Sequence, residues 1–172
     1  TSGKVVRPDD IGLCVLPLFH IMGLNSILNL SLYAGATLVL QERFDPMTVF
    51  ETITDEQISV LVGPPTMWAA LSQVALVAGD ALETIRIAVS GAATLPNRVV
   101  EEVAGRFGVR ILEGYGLTEA APGVTRATDD DTPIGSIGRP MAGMEVRIVD
   151  AAGDDVYIGD EGEILVRGDN VF

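Results

Sequence analysis

The chain has 172 residues, with 24 acidic against 11 basic side chains and a formal net charge of −13. That balance excludes a nucleic-acid-binding surface, which needs a basic patch. The single cysteine, Cys14, excludes an internal disulfide and suits a reduced, cytoplasmic compartment, where it serves as core filler.

The length accommodates one core, or one domain with part of a second. A mean hydropathy of +0.36 is high for so acidic a chain. Either the core is large, or apolar surface is left for further sequence or for a second copy to cover. Thr1 to Asp10 is polar and charged, unlike a signal peptide. Leu13 to Leu16, ending at Pro17, reads as a buried strand. The apolar run Ile21 to Leu40 has the length of a membrane span, but Gly23, Asn25, Ser26, Asn29, Ser31 and Gly35 interrupt it. It reads as a mostly buried helix over Ile21 to Tyr33, stopped by Gly35, then a strand over Thr37 to Leu40. No transmembrane segment is expected.

Pro46 opens a helix whose apolar stripe is Met47, Val49, Phe50 and Ile53. Val60 to Val62 is a strand ending at Gly63-Pro64-Pro65, and Thr66 to Val77 continues as an apolar helix. Ile85 to Val89 is another strand, ending at Ser90-Gly91. Pro96 to Phe107 is helical, with Val99, Val100, Val103 and Phe107 on one face and Gly108 as its stop. Val109 to Leu112 is the next strand. This alternation predicts βαβ units, hence an α/β fold with a mostly parallel sheet and helices on both faces. The pattern then changes. Asp129-Asp130-Asp131-Thr132-Pro133 reads as a solvated loop, and Glu145 to Val149 and Glu163 to Val166 alternate like half-exposed strands. The expected division is an α/β portion over 1–127 and a β-rich segment over 128–172.

In parallel sheets of this kind ligands collect beyond the carboxyl ends of the strands. Three segments stand at such positions: Pro17 to His20, Ser90 to Ala93, and Glu113 to Glu119. The last, Glu113-Gly114-Tyr115-Gly116-Leu117-Thr118-Glu119, is the richest in chemistry. Glycines let backbone approach a ligand, a tyrosine ring offers a stacking face, a hydroxyl can bond phosphate oxygens, and a carboxylate suits a hard cation such as Mg²⁺. These are the parts that a nucleoside-triphosphate site needs. In so acidic a chain the phosphates would have to be held by local amides and a metal.

The heptamer resembles the YGxTE motif of the adenylate-forming superfamily, which includes acyl-CoA synthetases, luciferases and peptide-synthetase adenylation domains. Pro17-Leu18-Phe19-His20, Ser90-Gly91-Ala92-Ala93, and Ile134-Gly135-Ser136-Ile137-Gly138-Arg139-Pro140 continuing to Gly162-Glu163-Ile164-Leu165-Val166-Arg167-Gly168 agree with it in order and spacing. The resemblance spans nearly the whole chain and points to the acid–CoA ligase branch. It implies the middle of the N-terminal domain of such an enzyme, with 128–172 as the start of a barrel-like subdomain. The implied reaction joins a carboxylic acid to ATP as acyl-AMP and then transfers the acyl group to coenzyme A.

Under that resemblance Thr118 would bond phosphate oxygens and Glu119 would hold Mg²⁺. Tyr115 would lie against the adenine, with Gly114 and Gly116 giving it room and Glu113 leading into the motif. Ser90, Gly91, Ala92 and Ala93 would form the opposite wall, although proline often stands where this chain has Thr94. His20, the only histidine, would lie beside the substrate carboxylate. Phe19-His20 favours a simple acid over an amino acid, for which adenylation domains tend to place an aspartate there. Met22, Gly23, Ser26, Ala92, Pro122 and Gly123 would line the acyl tail, and their apolar, small character suits an aryl or medium-chain acid. The resemblance also implies parts that this chain does not show. Thr1-Ser2-Gly3-Lys4 stands too close to Phe19 to be the family's phosphate loop, and a ribose-binding aspartate and a C-terminal lysine would lie past Phe172. Taken literally, the chain is expected to be inactive alone. A non-catalytic adenylate-binding module and an acyl-AMP ligase that loads a carrier protein are the competing readings.

Overall fold

The computed structural model describes residues 5–75, 78–128 and 132–172. Thr1 to Lys4, the end of the helix expected to run to Val77, and the aspartates of the acidic loop lie outside them. Five strands, β1 (Ile11–Cys14), β2 (Thr37–Leu40), β3 (Val60–Gly63), β4 (Ile87–Ser90) and β5 (Ile111–Gly116), pair in parallel in the order β2-β1-β3-β4-β5. Strands β6 (Gly123–Arg126) and β7 (Arg139–Pro140) extend the same sheet antiparallel beyond β5, to seven strands. Strands β8 (Met144–Val149) and β9 (Glu163–Gly168) form a separate antiparallel pair.

One face of the sheet is covered by α2 (Pro46–Asp55), α3 (Pro65–Ser72) and α4 (Asn97–Phe107). Asp45 caps α2 by accepting from the Thr48 amide at 3.0 Å, with Pro46 in the first turn. That hydrogen bond holds the Asp45 carboxyl below its usual range. The apolar stripes of these helices (Val49, Phe50 and Ile53; Trp68 and Leu71; Val99, Val100 and Val103) meet Leu13, Leu61, Ala88 and Ile111 from the strands. Trp68 is fully buried, and its indole N–H donates to the Val89 carbonyl at 3.2 Å.

Among the described residues the opposite face carries only the helical segment after β1, a π-helical stretch (Met22–Asn29) running into α1 (Leu30–Ala34). Gly35 ends it in the left-handed conformation, φ 70°. The reading of this segment as mostly buried is corrected: Met22, Gly23, Ile27 and Ser31 are buried, whereas Leu32 is 65% and Tyr33 92% exposed. The helix lies on the sheet by one edge only. Gly23, in its first turn, packs against the backbone that follows β1, where a Cβ would stand 2.5 Å from the Pro17 carbonyl oxygen.

The β8–β9 pair docks on the β5–β6 connection, Met144 packing with Ala120 and Val124. The Phe172 amide donates to the Glu119 carbonyl at 3.0 Å, and the Asn170 side chain donates to the carbonyls of Ala120 and Gly123. Strand β7, although it follows residue 127, belongs to the larger sheet. No helix among the described residues is long and apolar enough to cross a membrane.

Candidate adenylate site

Chain order makes the carboxyl ends of β1, β4 and β5 share one rim. The chain runs outward from β1 to β2 and then returns to β3, so successive connections diverge at β1/β3 and leave a crevice beyond the strand ends. A cavity of about 490 Å³ opens there and continues over the face that the π-helical stretch only partly covers. Val60, Val62, Ile87 and Val89 make its apolar floor.

From the segment after β1, His20, Met22 and Ser26 border the cavity. His20 is exposed, and its Nδ1 accepts from the Met22 amide at 3.2 Å. That bond leaves Nε2 as the atom that can carry a proton toward a ligand. Gly23 does not border the cavity; it faces the Pro17 carbonyl. Phe19, its neighbour in the motif, is 93% exposed.

From the end of β4, Ser90, Gly91 and Ala92 border it, and Ala93 does not. The Ser90 hydroxyl is buried without a hydrogen-bond partner. Ala92 stands at φ 70°, a left-handed conformation that costs an alanine about 1–2 kcal/mol. A Cβ on Gly91 would lie 3.3 Å from the Met22 methyl. An orphaned buried hydroxyl and a left-handed alanine two residues apart are features that cluster at ligand sites.

From β5, Gly114, Tyr115, Gly116 and Thr118 border the cavity, whereas Glu113 and Glu119 do not. Glu113 is buried in the strand, and Glu119 is exposed on the short 3-10 turn Thr118–Ala120, at the open side of the rim. The glycines serve the chain itself. A Cβ on Gly116 would meet the Pro122 carbonyl oxygen at 2.0 Å, and one on Gly114 the Thr125 carbonyl oxygen at 3.1 Å. Strand β6 returns so close to β5 that a side chain is excluded at 116 and crowded at 114. The return brings Pro122, preceded by a cis peptide, and Gly123 to the cavity.

Sequence reasoning missed several lining residues: the strand residues of the floor, Asn25, Arg126, Met141 and Asn170. Asn25 donates to the Ala121 carbonyl at 3.1 Å, and Asn170 holds the far side of the same turn. Two amides thereby fix the loop that carries Pro122. A single exposed carboxylate, Glu119, fits an Mg²⁺ ion that takes most of its oxygens from phosphates and water. A cage made by protein alone is absent, as no group of three His, Cys, Asp or Glu side chains that could hold a metal occurs among the described residues.

The family model for AMP-binding enzymes matches residues 1–172. The chain belongs to the AMP-binding enzyme family. Among curated relatives, the 3-[(3aS,4S,7aS)-7a-methyl-1,5-dioxo-octahydro-1H-inden-4-yl]propanoyl:CoA ligase of Mycobacterium tuberculosis is 37% identical over 99% of this chain and 32% of its own length. Indoleacetate–CoA ligase of Aromatoleum aromaticum is 38% identical over 95% of this chain and 32% of its own. The ATP-bound crystal structure of MatB from Rhodopseudomonas palustris superposes with a TM-score of 0.90 at 31% identity, covering 96% of this chain and 33% of that one. O-succinylbenzoate coenzyme A synthetase from Bacillus subtilis, in complex with ATP and magnesium ion, superposes with a TM-score of 0.84 at 29% identity, covering 98% and 34%. The chain spans about a third of the length of the curated relatives it matches.

Proposed function

We propose that this chain forms the adenine and acyl side of the active site of an ATP-dependent acid–CoA ligase, acting in the cytoplasm. One observation carries the reading: all three strand-end segments border a single cavity of about 490 Å³, a volume within the range of small-ligand pockets. In this reading Tyr115 and the Ser90 to Ala92 wall flank the adenine, and Thr118 donates to phosphate oxygens. His20 sits beside the acid's carboxylate, and its Nε2 is the atom available to donate to it. The acyl tail lies over the apolar floor, with Met22, Ser26, Pro122 and Gly123 around it, which suits an aryl or medium-chain acid.

The first half-reaction brings two anions together, so its barrier is dominated by charge and alignment. The carboxylate oxygen attacks the α-phosphorus of ATP, and the bond to the bridging oxygen of pyrophosphate breaks. The Glu119 carboxylate would hold Mg²⁺, which when bound neutralises the phosphates as their charge shifts. Coenzyme A then displaces AMP from the acyl group through its thiol. Transfer to coenzyme A finds support in the ligases that this chain resembles.

The test is acid-dependent exchange of labelled pyrophosphate into ATP by the complete gene product, followed by thioester formation when coenzyme A is added. Exchange with an aryl or medium-chain acid supports the reading. Absence of exchange with every carboxylic acid overturns it.

A further inference from the structure

The cavity is lined by apolar side chains, backbone and small polar groups, with one formally charged residue among them, Arg126 at the end of β6. Arg126 is exposed, and no described carboxylate lies within ion-pair distance of it. In a chain of net charge −13, a guanidinium with no acidic partner among the described residues is out of keeping with the surroundings. The neighbour that it does have makes matters worse. Arg126 stands directly opposite Arg139 across the β6–β7 ladder, and Arg139 likewise has no described carboxylate partner. Like charges in direct register destabilise a sheet. On its other side Arg126 pairs with Gly114 of β5, which borders the cavity. Directly paired residues project on the same face, so Gly114, Arg126 and Arg139 form one row that runs away from the cavity wall.

Resting on the ligase reading above, we infer that Arg126 recognises a second anionic group at the far end of the acyl substrate, so that the preferred acid is an aryl or medium-chain acid bearing a distal carboxylate or comparable anion. A guanidinium presents a planar fork that a carboxylate matches with two parallel hydrogen bonds. Binding such a group also offsets the repulsion between Arg126 and Arg139. The phosphates of ATP carry the same kind of charge, but strand geometry separates them from Arg126. Gly114, its partner, lies three extended residues before Leu117, about 10 Å at ~3.3 Å per residue, where the chain turns into Thr118. The apolar floor of Val60, Val62, Ile87 and Val89 would hold the intervening part of the acid.

The test compares the complete gene product with its Arg126→Met and Arg126→Lys variants in pyrophosphate exchange, using straight-chain dicarboxylic acids and their ω-amide counterparts of equal length. The wild type is expected to favour the dicarboxylic member by about 10- to 100-fold in kcat/KM, as for loss of a charge-assisted bidentate contact. Arg126→Met collapses that ratio toward one, and Arg126→Lys restores part of it. A wild type without preference for the second carboxylate overturns the inference, as does a preference that survives Arg126→Met. A variant whose defect falls on the KM for ATP, with the acid ratio unchanged, assigns Arg126 to phosphate and also overturns it. Exchange with the ω-amide acids keeps the ligase reading intact in each of these cases. Absence of exchange with both series and with aryl acids as well defeats that reading instead.

Discussion

The two rims of the parallel sheet are built on opposite terms. At the amino ends of β1, β3 and β4 a hydrogen-bond network gathers around Asp10, although at the amino end of β5 the buried Arg110 Nε has no partner among the described residues. Asp10 is buried, and it accepts from the Ser59 hydroxyl at 2.8 Å, the Arg7 amide at 2.7 Å and the Arg86 guanidinium. Ser59 in turn accepts from the Ile11 amide, and its carbonyl accepts from the amides of Arg86 and Ile87. At the carboxyl ends the Ser90 hydroxyl is buried without a partner, Ala92 is held left-handed, and Arg126 faces Arg139. One rim ties three strands together, and the other leaves groups unpaired that, under the proposed function, a ligand would satisfy. Under that proposal the same β-strand carries stability at one end and chemistry at the other.

The largest effect expected from breaking this contrast is at the carboxyl rim. Glu119→Gln keeps size and removes the charge assigned to Mg²⁺, and it lowers pyrophosphate exchange by a factor on the order of 10² or more, as for loss of one electrostatic contact to a transferring phosphate. Thermal stability stays near the wild-type value, because Glu119 is exposed and its side chain makes no hydrogen bond or ion pair among the described residues. Exchange at the wild-type rate would remove Glu119 from the metal role.

At the amino rim the signs reverse. Asp10→Ala leaves Arg86, Ser59 and the Arg7 amide without their acceptor and lowers unfolding free energy by about 1.5–3 kcal/mol, the range for hydrogen bonds to a charged group. The Arg86 side chain is 29% exposed, which keeps the loss below that of a wholly buried pair. Exchange activity per folded molecule is expected to be unchanged. The same carboxylate gives a pH signature. Burial alone would raise the Asp10 pKa, but the Arg86 hydrogen bond, with the Arg7 amide and the Ser59 hydroxyl, outweighs it and holds the value below the usual range. Its contribution is full above the unfolded value of about 3.9 and is lost as pH falls through the lower folded value. Urea midpoints measured from pH 5 downward check this. The wild type loses stability below about pH 4 more steeply than Asp10→Ala, and parallel curves would deny the pair its role.

The smallest effect sharpens the comparison most. Ser90→Ala removes a buried hydroxyl that has no partner, and Ala92→Gly relieves a left-handed alanine. Each is expected to leave stability unchanged or raise it by up to about 1 kcal/mol. Such gains on truncation have no counterpart at Asp10. A loss above about 1 kcal/mol in either variant would mean that this wall is built for stability after all.

Much of this arrangement can be read from residue types and periodicity. The βαβ alternation, the Gly35 and Gly108 stops and the placement of three motif segments at strand ends all follow from hydrophobic runs and helix punctuation. Other features lack a local signal. The expected strand ends at Leu112, since glycine is depleted in strands, yet β6 pairs with Gly114 and Gly116 and keeps the segment extended. The close approach of Gly23 to the Pro17 carbonyl likewise has no signature in hydrophobic periodicity. Val60, Val62, Ile87 and Val89 read as core, since nothing in a strand of valines reveals that the facing helix covers it only in part. Arg126 and Asn170 reach the cavity through strand pairing and hairpin docking, so their importance is invisible until the sheet is assembled.

Backbone amide shifts of the protein titrated with a non-hydrolysable acyl-adenylate analogue test the division between the rims most directly. The account predicts perturbations at Gly91, Ala92, Tyr115, Gly116 and Thr118, with Asp10, Ser59 and Arg86 unmoved. Perturbations centred on the amino rim, or spread evenly over both rims, would contradict it.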